Sequence, residues 1–368
     1  MFHNVFFSAK RKKIYKEFQE FTDTEPMKIV KHCATRWLSL EKCVKRVLQQ
    51  WPALCSYFQP HEDNEKPGRV KRIADSLTDP LTWLIFSYLD HIIPLMTDFN
   101  TAFQAGAPMV GHLHTEMQRL MRKLLGKFVT SQTIIAARDV TTISFETEEV
   151  QHPNDNIAIG LRTREYIKDN EDTIPQETIA KFYQHVRLFY ITLTSSLVKK
   201  FPFKDDILKT LSLLNPETRD KASPEAVVQL GKRVLPDIDI GKLQEEAEEY
   251  NVTPIESLPP YREAIVSKVP DVETMEEVTE ASLLSFWVKM RNRTLPGRAQ
   301  KQFSVLGGVA LACLTIPHSN ADLERCFSIL RKIQTDSRHK LSTETIHSLI
   351  SVKFNEHHSC VEYNYTIS

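Results

Sequence analysis

Apolar positions recur at three- and four-residue intervals along most of the chain, the spacing of helices with one buried stripe. In "WLSLEKCVKRVLQQWPALCSYF", Trp37, Leu40, Val44, Val47, Leu48 and Trp51 share a face, and Pro52 marks a kink or restart. Long helices are predicted over "RIADSLTDPLTWLIFSYLDHIIPLMTDFNTAFQ" and "MVGHLHTEMQRLMRKLLGKFV", with a break at 105–108. "PQETIAKFYQHVRLFYITLTSSLVKKF" places Phe182, Val186, Phe189, Leu193 and Leu197 on one stripe, read as packing rather than as a ligand box. The helical pattern lapses in three places. "MKIVKHCATRW" reads as a short strand, Lys28 to Lys31, ahead of a polar turn. Residues 130–175 change to Thr, Asn, Asp and Glu with short β-branched pieces, an irregular excursion from the helical body. Between 202 and 278 short helices are divided by prolines; the acidic "LQEEAEEY" at 243–250 is expected to face solvent, and Asp237 and Asp239 in "LPDIDIG" read as loop residues.

The C-terminal pattern is the most legible. "ASLLSFWVKM" is a helix carrying Phe286 and Trp287, and "FSVLGGVALACLTI" is apolar on every side, so it is predicted to be buried and to end before Pro317. Ser319 then caps a helix, with Asp322 in the position of the capping-box acid. Leu323, Cys326, Phe327, Leu330 and Ile333 form its apolar stripe, while Glu324, Ser328 and Arg331 lie on another face. Ser342 caps the last helix; Leu341 and Ile346 stand at staple positions, and Leu349, Ile350 and Phe354 continue the stripe.

Composition narrows the classes. The 368 residues, 41% hydrophobic and 26% charged, suffice for two or three globular domains with a substantial core. Ten glycines weigh against nucleotide-cradling glycine loops and turn-rich β folds. Forty-seven basic and forty-seven acidic residues cancel, so any nucleic-acid contact must be local: at "AKRKKIYK" (9–16), "GRVKR" (68–72) or "KMRNRTLPGRAQK" (289–301), each read first as a solvated surface. Cys33, Cys43, Cys55, Cys313, Cys326 and Cys360 are scattered without a C-x-x-C pair, which suits free thiols in a reducing compartment. Cys33, Cys43 and Cys55 with His32 and His61 have irregular spacing and read as structural rather than as a zinc site. The N-terminal "MFHNVFFSAKRKK" lacks the order of a secretory signal, and residues 303–316 fall short of the roughly 20 a membrane helix needs. The expectation is a soluble intracellular protein with no membrane partner.

Two separated motifs carry a family resemblance. "CATRWLSLEKCVKRVL" (33–48) resembles the Arg-Trp segment of hAT-family transposases. "FWVKM" through "IPHSNADLERCFSILRKIQTDSRHKLSTETIHSLISVKFN" resembles their C-terminal dimerisation region, with Phe286-Trp287, Ile316-Pro317, Glu324-Arg325, Phe327-Ser328, Arg338 and Leu341 in the family's order. The resemblance implies a mainly α chain: a remnant of a ribonuclease-H-like α/β fold (1–45 and 281–368) interrupted by a large helical insertion domain (46–280) and ending in dimerisation helices. It places the family's third metal-binding acid at Glu324, and its base-supporting DNA contact at Arg36 and Trp37. Dimer contacts fall at Phe286, Trp287, Cys326, Phe327, Leu330, Ile346, Leu349 and Ile350.

In the family, two aspartates upstream of the Arg-Trp pair complete the catalytic set. The 35 residues ahead of Arg36 hold one aspartate, Asp23, in the polar "FTDTEP". One carboxylate cannot charge-balance or orient two divalent cations. The expectation is therefore a transposase-derived protein that is not an enzyme. It has no cofactor, Mg²⁺ or Mn²⁺ entering only if the missing aspartates are supplied elsewhere, and no zinc-finger module. It acts by dimerisation, as a homodimer or with a related hAT-like protein, with residual DNA contact, in the nucleus and without a small-molecule substrate. The alternatives are a DNA-binding nuclear regulator using Arg36, Trp37 and the basic segments, and a fragment of an active DDE-type transposase.

Overall fold

A computed structural model describes residues 9–30, 37–59, 68–103, 109–261, 283–317, 319–335, 338 and 340–355. The chain divides into two compact units, residues 1–102 with 111–230, and residues 103–110 with 231–368. Among the described residues the regular structure is helical, and extended chain pairs only at two isolated antiparallel bridges, Val129 with Gln151 and Thr294 with Lys301. The mainly α expectation holds, whereas a ribonuclease-H-like sheet is not seen in these residues.

The strand predicted at Lys28–Lys31 does not form among the described residues: Lys28, Ile29 and Val30 are in no strand or bridge, and Lys31 lies outside the described residues. The physical reason lies in the first two helices, α1 (Ala9–Phe21) and α2 (Trp37–Gln49). Their side chains take the carbonyls a neighbouring strand would otherwise bond. Gln19 Nε2 donates to the Met27 carbonyl at 2.9 Å, Gln50 Nε2 to Glu25 at 2.8 Å, and Arg46 Nη1 to Lys28 at 2.6 Å. Gln50 is fully buried between α2 and α3 (Trp51–Phe58); the Tyr15 hydroxyl and Gln19 Nε2 both donate to its Oε1. Pro52 sits in the first turn of α3, where its missing N–H costs no bond, so the break is a restart. Asp23, the aspartate ahead of Arg36, ends α1. Its φ is 50°, and Asp23 N and Thr24 N donate to the Glu20 and Gln19 carbonyls, the bonding of a Schellman cap.

These helices and α4 (Arg69–Thr78) pack around Leu54, Tyr57, Phe58 and Ile73. A larger core in the same unit joins α5 (Pro80–Ala102) and α6 (Leu113–Leu125). The predicted excursion follows, with α7 (Ser131–Ala136), α8 (Leu161–Asp169) and short turns, and then α9 (Gln176–Lys200) resumes the core. The excursion is irregular but anchored. Phe145, Ile157 and Ile159 are buried in the core. Arg187 on α9 donates to Gln151 Oε1, the His152 carbonyl and Asn154 Oδ1 at 2.8–2.9 Å, and Tyr190 donates to the Ala158 carbonyl at 2.5 Å. α10 (Asp206–Thr210) and α11 (Pro224–Val234) follow; the division between the units falls within α11.

In the second unit α12 (Ile240–Val252), α13 (Leu283–Asn292) and α14 (Ser304–Leu314) share a core of Tyr250, Phe286, Trp287, Met290, Phe303 and Leu306. α15 (Ala321–Ile333) and α16 (Thr343–Asn355) complete it. "LQEEAEEY" does not lie wholly in solvent, as its composition suggested: Leu243, Glu246, Ala247 and Tyr250 are buried. The reason is a helix end without a cap. Phe303 at the N-cap of α14 offers no side-chain acceptor. Glu246 reaches across from α12 instead, accepting from Val305 N at 2.9 Å, Leu306 N at 2.7 Å and the Ser304 hydroxyl at 3.3 Å. The Asp237/Asp239 loop reading holds, with Asp239 capping α12 through the Lys242 N–H at 3.0 Å.

Candidate dimerisation surface

The N-terminal boundary of α15 lies one residue later than expected, with Asn320 at the N-cap and Ser319 ahead of it. α16 begins as expected, with Ser342 Oγ accepting from Thr345 N at 3.2 Å. The two helices pack on each other. Their apolar stripe is only partly covered. Ile333 is buried, Cys326 and Leu330 are half-buried, and Leu323 and Phe327 are 60% and 61% exposed. On α16, Ile346, Leu349 and Ile350 are half-buried and Val352 is 54% exposed. Residues 323 and 327 are one helical turn apart, so their exposed side chains form one continuous strip.

Phe286 and Trp287 are placed differently. Both are essentially without solvent exposure; the Trp287 ring lies 5.3 Å from Phe286 and 5.4 Å from Tyr250. Burial of about this extent for two large aromatics is core packing worth several kcal/mol, and in this conformation neither ring is presented outward. The structure therefore brings Cys326, Phe327, Leu330, Ile346, Leu349 and Ile350 onto one helical pair and puts Phe286 and Trp287 in the core beneath α13. Leu323, in the expected apolar stripe of α15, and Val352 on α16 are also exposed and were not among the expected dimer contacts; Leu323 lies four residues from Phe327 and Val352 three from Leu349, the spacing that was the available signal.

Glu324 is exposed on α15. Arg36 lies outside the described residues, and Trp37 opens α2, its side chain outside the description. Asp23 is exposed in the α1 cap. Among the described residues no three His, Cys, Asp or Glu side chains converge as metal ligands, and no helix is long and apolar enough to cross a membrane. Cys43, Cys55, Cys313 and Cys326 are free thiols; burial pushes the Cys313 thiol up to about 12, so it stays protonated at neutral pH. Cys33, His32 and His61 of the irregular Cys/His grouping are outside the described residues.

An exposed apolar strip on a helical pair at one end of a chain defines a class of module, one whose burial is finished by another helix. The particular module is indicated by comparison: residues 265–356 match the family model of the hAT family C-terminal dimerisation region. The match covers α13 to α16, and the rest of the chain is outside it. No curated protein matches the chain, and no solved structure matches it.

Proposed function

We propose that the chain is transposase-derived and acts by self-association, a second copy covering the exposed Leu323 and Phe327 of α15 and Val352 of α16. The observation that carries this is the coincidence of two independent facts. The segment similar to a dimerisation region is also where large apolar side chains stand exposed next to half-buried ones on a helical pair. In a symmetric dimer each side chain is counted twice. Burying Leu323 and Phe327 in both copies therefore contributes several kcal/mol at about 1.5–3 kcal/mol per fully buried side chain. Light scattering on the intact chain should give twice the 42.5 kDa chain mass. Leu323→Asp with Phe327→Asp should weaken association about 100-fold or more and return the chain mass. A wild-type chain that stays at the single-chain mass at high micromolar concentration refutes the proposal.

The same reading makes the chain non-catalytic. Its support is that Glu324 stands on an exposed helix face, while Asp23 serves a helix cap; a two-metal phosphodiester reaction needs carboxylates that converge. Supercoiled plasmid incubated with the protein and Mg²⁺ or Mn²⁺ should remain intact. Nicking that Glu324→Gln abolishes would overturn this part.

A further inference from the structure

Two opposite charges on α15, Glu324 and Arg331, find no counter-ion in their own helix. Ion pairs on a helix surface join residues three or four apart, and helices of the first unit use that spacing, as in Lys45 with Glu41, Arg119 with Glu116 and Lys181 with Glu177. The residues at that spacing from Glu324 and Arg331, namely Asn320, Ala321, Phe327, Ser328, Gln334 and Thr335, are all uncharged. Both side chains are exposed, and neither makes an ion pair or a side-chain hydrogen bond among the described residues. Seven residues make nearly two turns, so the two stand on one side of α15, about 10.5 Å apart along its axis. Phe327, 61% exposed, lies between them along the helix.

We infer that the second copy lies antiparallel along α15, with Glu324 of each copy against Arg331 of the other, and that this pairing makes the surface selective for its own sequence. The inference rests on the self-association proposed above and fixes its orientation and its specificity. In an isologous contact residue i meets j and j meets i. A two-fold axis at the midpoint of Glu324 and Arg331 falls between Phe327 and Ser328. It brings the opposite charges together twice and sets the two Phe327 side chains close to each other at the centre. The same axis places Leu323 opposite Lys332 of the second copy, whose hydrocarbon stem covers it with the ammonium in water. A parallel arrangement would instead face Glu324 with Glu324 and Arg331 with Arg331, two like-charge contacts. At the edge of the strip these pairs add little raw affinity, but they penalise the parallel orientation and any partner that lacks the complementary pair. Glu324 thereby has a role on an exposed helix face that needs no metal ion.

The test is light scattering on the intact chain carrying Glu324→Arg, Arg331→Glu, or both. Each single reversal turns two attractive contacts into two repulsive ones and should weaken self-association roughly 10-fold at low salt. The double reversal restores opposite charges across the axis and should associate like wild type. An equimolar mixture of the two single variants, read by native mass spectrometry, should form mixed dimers in preference to either homodimer. Because both side chains are exposed and unpaired among the described residues, melting temperatures under dilute, monomeric conditions should match wild type. Wild-type strength in the single variants, a double variant as weak as the singles, or a weakening that persists at 1 M salt, where exposed charges are screened, would each overturn the inference and leave self-association standing. A wild-type chain at the single-chain mass would overturn the self-association reading, and this inference with it.

Discussion

The α13–α14 pair and the α15–α16 pair are both rich in apolar positions and differ in how far they are covered: α13 leaves Leu284 and Val288 48% and 44% exposed, α15 leaves Leu323 and Phe327 60% and 61%. In the first, Phe286, Trp287, Met290, Leu306, Val309 and Cys313 are all sealed by the chain itself. In the second, Leu323, Phe327 and Val352 remain more than half exposed. What separates the pairs is backbone approach. Gly307 lets α14 come so near α13 that a Cβ there would meet the Arg291 Cα at 2.8 Å, and the contact is fixed by Glu246 on the first turn of α14. α15 has no glycine, and its apolar side chains project further than its partner helix covers. An apolar stripe thus reports that something must cover it; whether the cover lies in the same chain depends on small residues and caps.

The largest effect should separate folding from assembly. Trp287→Ala should cost about 3–5 kcal/mol, since it empties a fully buried site. Phe327→Ser should change chain stability by less than about 0.5 kcal/mol while weakening self-association. Chemical denaturation at low micromolar protein, read alongside light scattering, checks both. If Phe327→Ser proved as destabilising as Trp287→Ala, the α15 strip would be part of the chain's own core, and the contrast between the pairs would fail.

Next in size is the close approach itself. Gly307→Ala pushes a methyl into the Arg291 backbone, which cannot swing away as a flexible side-chain end could, so a loss of about 1–3 kcal/mol is expected. A thermal melt near wild type would mean that α13 and α14 can part at little cost.

Glu246 comes third. Replacing it with Ala leaves the Val305 and Leu306 N–H groups without their acceptor, for about 1–3 kcal/mol; Gln, which keeps a carbonyl acceptor, should cost less. Burial raises the Glu246 carboxyl above its usual range, opposed by the N–H donors of Leu306 and Val305. An acid raised on folding binds its proton more tightly when folded. Its contribution is therefore most favourable below the ordinary carboxylate value and declines as pH rises through the raised one. The Gln variant lacks this decline, so its stability relative to wild type should improve from pH 4 to pH 7.5. Parallel melts at the two pH values decide it; an unchanged difference would mean the donors balance the burial.

How much of this was legible follows from which forces act locally. Helical spacing located most of the helices, and Ser342 and Pro52 marked ends, because capping and proline geometry depend on neighbours in sequence; the run from Arg72 to Gln104 read as one helix, but the chain breaks at Asp79 between α4 and α5, Pro80 opening the second. The strand at Lys28–Lys31 was misread because the carbonyls of Glu25, Met27, Lys28 and Val30 accept from Gln50, Gln19, Arg46 and Cys43, residues no local window connects to it. Glu246 was hidden for the same reason. In "LQEEAEEY" it is one acid among four, and only the uncapped end of α14, nearly sixty residues on, distinguishes it. The candidate surface was half legible: the stripe was visible, but exposure at Leu323 and Phe327, and burial at Phe286 and Trp287, are properties of packing.

The smallest expected effect probes the other half of the glycine pair. A Cβ at Gly308 would meet nothing within 4 Å, unlike its neighbour. Ala there removes the backbone freedom that glycine adds to the unfolded chain and costs no contact, so Gly308→Ala should stabilise by about 0.5–1 kcal/mol. A melting temperature raised slightly in Gly308→Ala and lowered in Gly307→Ala would show that the pair's two positions do different work, one for approach and one open. Should Gly308→Ala instead leave the melt unchanged and reduce the light-scattering mass, the open space beside α14 would belong to the partner copy. The covered and uncovered helical pairs would then share one assembly surface.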